Sequence, residues 1–339
     1  MAWKLLRRVR SEAAGHAEWH VAAAHGDHRL TGRWGERSRN GVSFAPTGGY
    51  VPSVIEVLGI EVPASLVQRW REWFAPQHQP FRTDRLVAEP PRGQEVEPSP
   101  EVRDTFHMYG GTWVWLEESE FVRLSLGVRR ALLFRREAIG HVGRLPTSAR
   151  RAVESGRTDS RVVWWPSLLR VVGDGPVLSY VEEGVRRSRH GELSQTVWSG
   201  CRRVLPDAAD LAGTFASASG PNCFGTVMAA AGVPGAGSQW MLQEPFEQWL
   251  ADNAAPIRAT TRDHLPGVVL VWRDVDGLAA HAAVTIGDGY ALSKPSQAWC
   301  SPRLVWTVRE TISAVRDRGI TLSRYLLVAR ESLVPPSDS

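Results

Sequence analysis

Residues 219–232 read Ser-Gly-Pro-Asn-Cys-Phe-Gly-Thr-Val-Met-Ala-Ala-Ala-Gly. A Gly220-Pro221 turn leads into Cys223. The small and apolar residues after it predict a tightly packed helix over 223–231 that Gly232 closes. A thiol on the first turn of a helix meets unpaired N–H groups and the positive end of the dipole, and both favour the thiolate. Further on, His281 starts an apolar strand that turns back at Gly287-Asp288-Gly289. A helix-borne Cys and a strand-borne His are the two pieces of a nucleophile–base pair.

The chain has 339 residues, enough for two domains, and 43% of them are hydrophobic. Its net charge of +4 rests on arginine, because the only lysines are Lys4 and Lys294. No basic block stands out beyond 7–10 and 186–189, so no specific nucleic-acid partner is expected. No apolar run approaches the length of a membrane span. The basic start of the chain is not followed by the apolar core of a secretory signal. A cytoplasmic protein is therefore the expectation. Cys201, Cys223 and Cys300 are too few for a disulfide framework or a zinc cluster. His16 and His20, near His25 and His28, are spaced to share a helix face. Glu18 does not directly follow the first of them, as the zinc-protease pattern requires. These histidines read as solvated or core residues, with no metal and no cofactor expected. Most of the 15 tryptophans read as core.

Composition divides the chain. Residues 1–75, a mixed N-terminal region, combine helical signals at 3–14 and 64–74 with a Gly/Pro turn at 43–52. Residues 76–102 hold Pro76, Pro80, Pro90, Pro91, Pro98 and Pro100 and read as a linker or crossing loop without regular structure. Residues 103–205 read as an α+β accessory region, with strands at 112–116 and 161–165 and helices at 121–136 and 177–187. Residues 206–333 read as the catalytic domain. It has helices at 223–231, 244–251 and 309–318, and strands at 268–272, 279–286, 290–293, 304–308 and 325–328. Residues 334–339 read as a disordered tail. A helix followed by a meander of strands is an α+β order, here preceded by a mixed α/β N-terminal region.

In the expected chemistry His281 takes the Cys223 proton and returns it to the leaving amine. N–H groups at the helix start, that of Cys223 included, bind the oxyanion. Gly225 keeps the first turn narrow so that a substrate backbone can approach, with Asn222 beside it as a binding residue. A third group must orient the imidazole. A turn centred near residue 287 sets residue 281 opposite Ser293, with Lys294 on the other face. Gln297 and Asp288 stay in play for the same role. The polar run 294–297 reads as substrate-binding through Lys294 and Gln297. Cys201 and Cys300 have neither a helix start nor a matching His and read as structural.

These segments resemble the NlpC-like cysteine peptidases, bacterial enzymes with a compact papain-like fold. The resemblance is carried by Asn222-Cys223-Phe224-Gly225-Thr226-Val227, by Pro266-Gly267-Val268-Val269-Leu270, and by His281-Ala282-Ala283-Val284-Thr285-Ile286-Gly287-Asp288-Gly289. It covers residues 215–300. It implies a papain-like C-terminal part with Cys223 as nucleophile, His281 as base and a third polar residue at Ser293. The chain departs from the family's pattern at Asn222, where an acid is usual, at Val268, where Asp is usual, and at Ser293, where many members have His. The expected function is cysteine-dependent hydrolysis of an amide bond through a thioester, on a peptide or a small amide or acyl substrate. Acyl transfer to an amine, and a catalytically inactive papain-like binding protein, are the alternatives.

Overall fold

The computed structural model describes residues 6–9, 18–21, 54–84, 96–137, 142–144, 161–258, 260–315 and 319–328. Strands β1 (Leu6–Val9) and β2 (Glu18–Val21) pair antiparallel, with His20 opposite Arg7. The helix expected at 3–14 is therefore a strand where it is described, and His20 sits on a strand rather than a helix face. His16, His25, His28 and the turn at 43–52 lie outside the described residues.

Next come β3 (Val54–Val57) and β4 (Ile60–Pro63), a hairpin turned by Leu58 and Gly59, whose φ values of 55° and 78° are those of a tight two-residue turn. Helix α1 (Ala64–Phe74) buries Leu66, Val67, Trp70 and Phe74, the three-and-four spacing of one helix face. Strand β5 (Gln79–Arg82) contains Pro80 and pairs with β6 (Trp113–Leu116), and Pro100 is the first residue of α2 (Pro100–Phe106). The proline-rich stretch thus carries regular structure. A two-stranded sheet has only edges, where a missing N–H is tolerated, and the first helical position needs no N–H donor.

The helix expected at 121–136 is two, α3 (Glu118–Arg123) and α4 (Leu126–Glu137). Leu124 is extended and the Ser125 hydroxyl accepts from the Val128 N–H, so a fresh N-cap restarts the helix. Strands β7 (Val142–Arg144) and β8 (Arg161–Val163) pair, and Pro166 opens α5 (Pro166–Val172). Helix α6 (Gly175–Glu182) follows. Side chains from β3, β4, α1, β5, β6, α5 and α6 build an aromatic core around Trp70, Phe74, Phe81 and Trp165. Trp299, Leu304 and Trp306, from far along the chain, complete it.

The C-terminal part has α7 (Gln195–Cys201), α8 (Ala208–Leu211), α9 (Cys223–Ala230), α10 (Gln243–Asn253), β9 (Ala254–Ile257), β10 (Pro266–Arg273), β11 (Ala279–Gly287), β12 (Tyr290–Ser293), β13 (Leu304–Thr307), α11 (Val308–Ala314) and β14 (Thr321–Leu327). Its strands form one six-stranded antiparallel sheet in the order β13-β12-β11-β10-β14-β9. Val269, Val271, Ala282 and Val284 join α9 in one apolar cluster, while Val268, Leu270, Trp272 and Ala283 join Val308 of α11 in another. With both faces covered, every residue of β11 is buried, which is why this antiparallel strand reads as an apolar run interrupted only by His281 and Thr285. Leu193, Cys201 and Leu205 pack in the α9 cluster, ahead of the boundary expected at 206. No helix among the described residues is long and apolar enough to cross a membrane.

Candidate active site

Cys223 is the first residue of α9, and Asn222 is its N-cap. The Asn222 side-chain oxygen accepts from the Gly225 N–H at 3.0 Å, and its amide nitrogen donates to the Met241 carbonyl at 2.7 Å. Both ends of that amide bond the protein's own backbone, so Asn222 holds the helix start as its cap. A Cβ at Gly225 would collide with the carbonyl oxygen of Ala236. The close approach that Gly225 permits is made by the protein's own 236–239 segment, not by a substrate backbone.

The hairpin that carries His281 turns at Asp288 and Gly289, with φ of 51° and 75°. The turn is centred one residue later than expected. Ser293 therefore lies opposite Ala283 in the β11–β12 ladder, and a register shift falls between Thr285 and Gly287. Residues 281, 283 and 293 still share a face, and the Ser293 hydroxyl lies 3.4 Å from Nε2 of His281. The imidazole is also 5.2 Å, ring to ring, from Trp272, the residue opposite it on β10. Asp288 lies in the turn itself and Gln297 bonds elsewhere, so Ser293 is the polar side chain hydrogen-bonded to the ring.

The Cys223 thiol is set against the backbone N–H of Ala282. The β11–β12 ladder stops at Ala283 and Ser293, so Ala282 is the first β11 residue past it and His281 the next. The sulfur and the imidazole thus belong to neighbouring positions of one strand but to opposite faces of the sheet: Ala282 faces α9 with Cys223, while His281 lies with Ala283 and Trp272 on the face that α11 covers. No hydrogen bond joins them among the described residues.

Both groups rest neutral at pH 7. Burial pushes the Cys223 thiol up to about 11, against the pull of the N–H groups of Ala282, Phe224 and Cys223 and of the Lys294 charge. Burial brings His281 down to about 4. The helix start does favour a thiolate, as expected, but desolvation is the larger effect and the proton stays on sulfur.

Lys294 is fully buried and donates to the carbonyls of Ser296 (2.8 Å), Ala298 (3.3 Å) and Ser301 (2.6 Å). Its three donors are all spent inside the 294–301 loop, so it offers none to a substrate. Burial, with nearby Arg303 adding to it, lowers Lys294 to about 7. Gln297 donates to Oδ1 of Asp104 at 3.3 Å and to the Tyr109 hydroxyl at 3.2 Å, and Tyr109 in turn donates to Asp104. Its amide nitrogen is thus engaged in an internal link. Cys300 is pushed up to about 12 by burial first and by Asp104 second, and the Cys201 thiol donates to the Trp198 carbonyl at 3.3 Å. Both fit the structural role expected of them.

The sequence reading missed Asp104, Thr105 and Tyr109, which reach the site from α2 and the turn after it. Their signal, an acid and two hydroxyls, has no spacing that ties it to residues two hundred positions away. Trp272, opposite His281 on β10, was read only as part of a buried strand and not as a neighbour of the ring. No protein-family model, no characterised protein and no solved structure matches this chain.

Proposed function

We propose that this chain is a cysteine-dependent amide hydrolase whose C-terminal part is papain-like, with Cys223 as nucleophile and His281 as general base. The observation that carries the reading is the placement of a helix-start thiol against the Ala282 N–H, one residue from an imidazole that Ser293 holds by a hydrogen bond. Because the resting pair is neutral, attack and proton transfer are coupled. Sulfur adds to the carbonyl carbon of a peptide or small amide as His281 removes the thiol proton, and the imidazolium returns that proton to the leaving amine. Water then cleaves the thioester. Ring and thiol lie on opposite faces of β11 at rest, so this reading requires the 279–281 end of the strand, where its ladder to β10 shifts register, to turn the ring toward α9 when substrate binds. The Ala282 N–H and the free N–H groups of the first turn of α9 are the oxyanion donors.

A second reading, a papain-like protein that binds without catalysis, is favoured by one observation: the thiol at about 11 and the imidazole at about 4 share no hydrogen bond. Alkylation with a small iodoacetamide probe across pH 5 to 10, read by peptide mass, separates the two. The hydrolase reading expects Cys223 to label faster than Cys201 and Cys300 near neutral pH, and expects His281→Ala to abolish that advantage. Labelling of Cys223 confined to alkaline pH and indifferent to His281→Ala would replace it with the binding reading.

A further inference from the structure

The buried Lys294 serves neither as nucleophile nor as base, and its surroundings give it another role. Its ammonium folds the 294–301 loop around itself through three backbone carbonyls. Two further bonds close the same loop: Ser296 N–H to the Ser301 hydroxyl at 3.0 Å and Ala298 N–H to the Ser296 hydroxyl at 3.2 Å. A flexible polar segment with five internal bonds about one buried cation is a rigid body.

That body touches both halves of the candidate site. At one end it continues directly from Ser293, whose hydroxyl meets His281. At the other end its Gln297 carbonyl accepts from the Gly220 N–H at 3.0 Å, and its Trp299 N–H donates to the Ser219 hydroxyl at 3.2 Å. Ser219 and Gly220 form the turn that delivers Cys223. From outside, α2 grips the same loop: the Trp299 indole N–H donates to the Thr105 hydroxyl at 2.7 Å, and Gln297 reaches Asp104. Glu101 of α2 also accepts from the Ser219 N–H at 3.3 Å.

We infer that Lys294 is a positioning residue. Its ammonium braces the 294–301 loop so that the turn before Cys223 is held at a fixed distance from the strands bearing His281 and Ser293. The brace extends through Gln297 and Trp299 to α2, so the N-terminal part of the chain helps set that distance. Only the functional half of this inference rests on reading Cys223 and His281 as a reacting pair.

Lys294→Met in the full-length protein keeps the aliphatic stem and removes the three donors. Hydrogen exchange at the Gly220 and Trp299 amides should accelerate at least tenfold, while amides in the centre of β10 and β11 keep their protection. The titration of the His281 ring, on which burial and not the Lys294 charge acts, should move from its wild-type position when followed by NMR. Unchanged exchange at both amides overturns the brace, and so does acceleration spread evenly over the sheet, which would make Lys294 ordinary packing. Faster exchange with an unmoved His281 titration overturns the positioning role. If wild-type Cys223 labels no faster than Cys201 and Cys300, the hydrolase reading fails and the exchange result alone decides the brace. Should Lys294→Met not fold, Lys294→Gln, which keeps two donors, is judged by the same criteria.

Discussion

Two cores in this molecule are built from opposite materials. The N-terminal one is aromatic, with Trp70, Phe74, Phe81, Trp165 and Trp299 fully buried and in ring contact. The one beneath α9 has one buried stacked pair, Phe224 and Phe246, but where the helix meets the sheet it is built of small residues: Cys223, Val227, Ala229, Ala230, Val269, Val271, Ala282 and Val284. Large rings fill space between short, irregular elements. Small side chains let a helix lie close on a sheet, which is what brings the thiol to the β11 backbone. The first core is vulnerable to losing atoms, the second to gaining them.

The largest expected effect comes from taking a ring out of the aromatic core. Trp299→Ala should cost about 3–5 kcal/mol in urea unfolding, because the ring is fully buried and its N–H also bonds Thr105. A loss under about 1 kcal/mol would mean that the C-terminal tryptophan is not part of that core.

Next is an effect of acid on the small-residue region. In the unfolded chain the His281 imidazole takes up a proton at its ordinary value of 6.5, in the folded protein only at about 4. Unfolding therefore binds a proton between those values. The stability that His281 contributes is whole above pH 6.5 and is lost as pH falls toward 4, to a limit of roughly 3 kcal/mol. Thermal melting at steps from pH 7.5 to 4 should show that decline in the wild type, and His281→Gln should flatten it.

The smallest of the three is the addition of one methyl group. Gly225→Ala sets a Cβ against the Ala236 carbonyl, a backbone atom that cannot swing aside. A cost of about 1–3 kcal/mol is expected by chemical denaturation, together with faster exchange in the 236–241 segment. A neutral outcome would remove the contrast between the two cores.

The two regions also differ in how much of them the sequence disclosed. Strands β10, β11 and β12 were legible because long apolar runs end at Gly and Asp with the positive φ that a hairpin needs. Helix α1 was legible to the residue because its apolar positions follow one helical stripe. The aromatic region hid its elements. Pro80 and Pro100 read as breakers, yet one stands in an edge strand and the other at a helix start, the two places that accept proline. At the candidate site, Cys223, His281 and Ser293 were picked out from local pattern, while the β11–β12 register was off because the turn falls on Asp288 and Gly289, and three consecutive turn-forming residues do not say which two make it. The polar run at 294–297 was rightly placed beside the site, but its bonds turn inward. A lysine folded on its own loop cannot be told by spacing from one that reaches for a ligand.

Trp299, Leu304 and Trp306 pack against rings contributed by residues before 182. A ribosome releases the chain in order, at about 5–20 residues per second. The first core must wait, with gaps where those side chains belong, until more than a hundred residues beyond position 182 have emerged. Its closure then follows the emergence of residues 299–306 rather than preceding it.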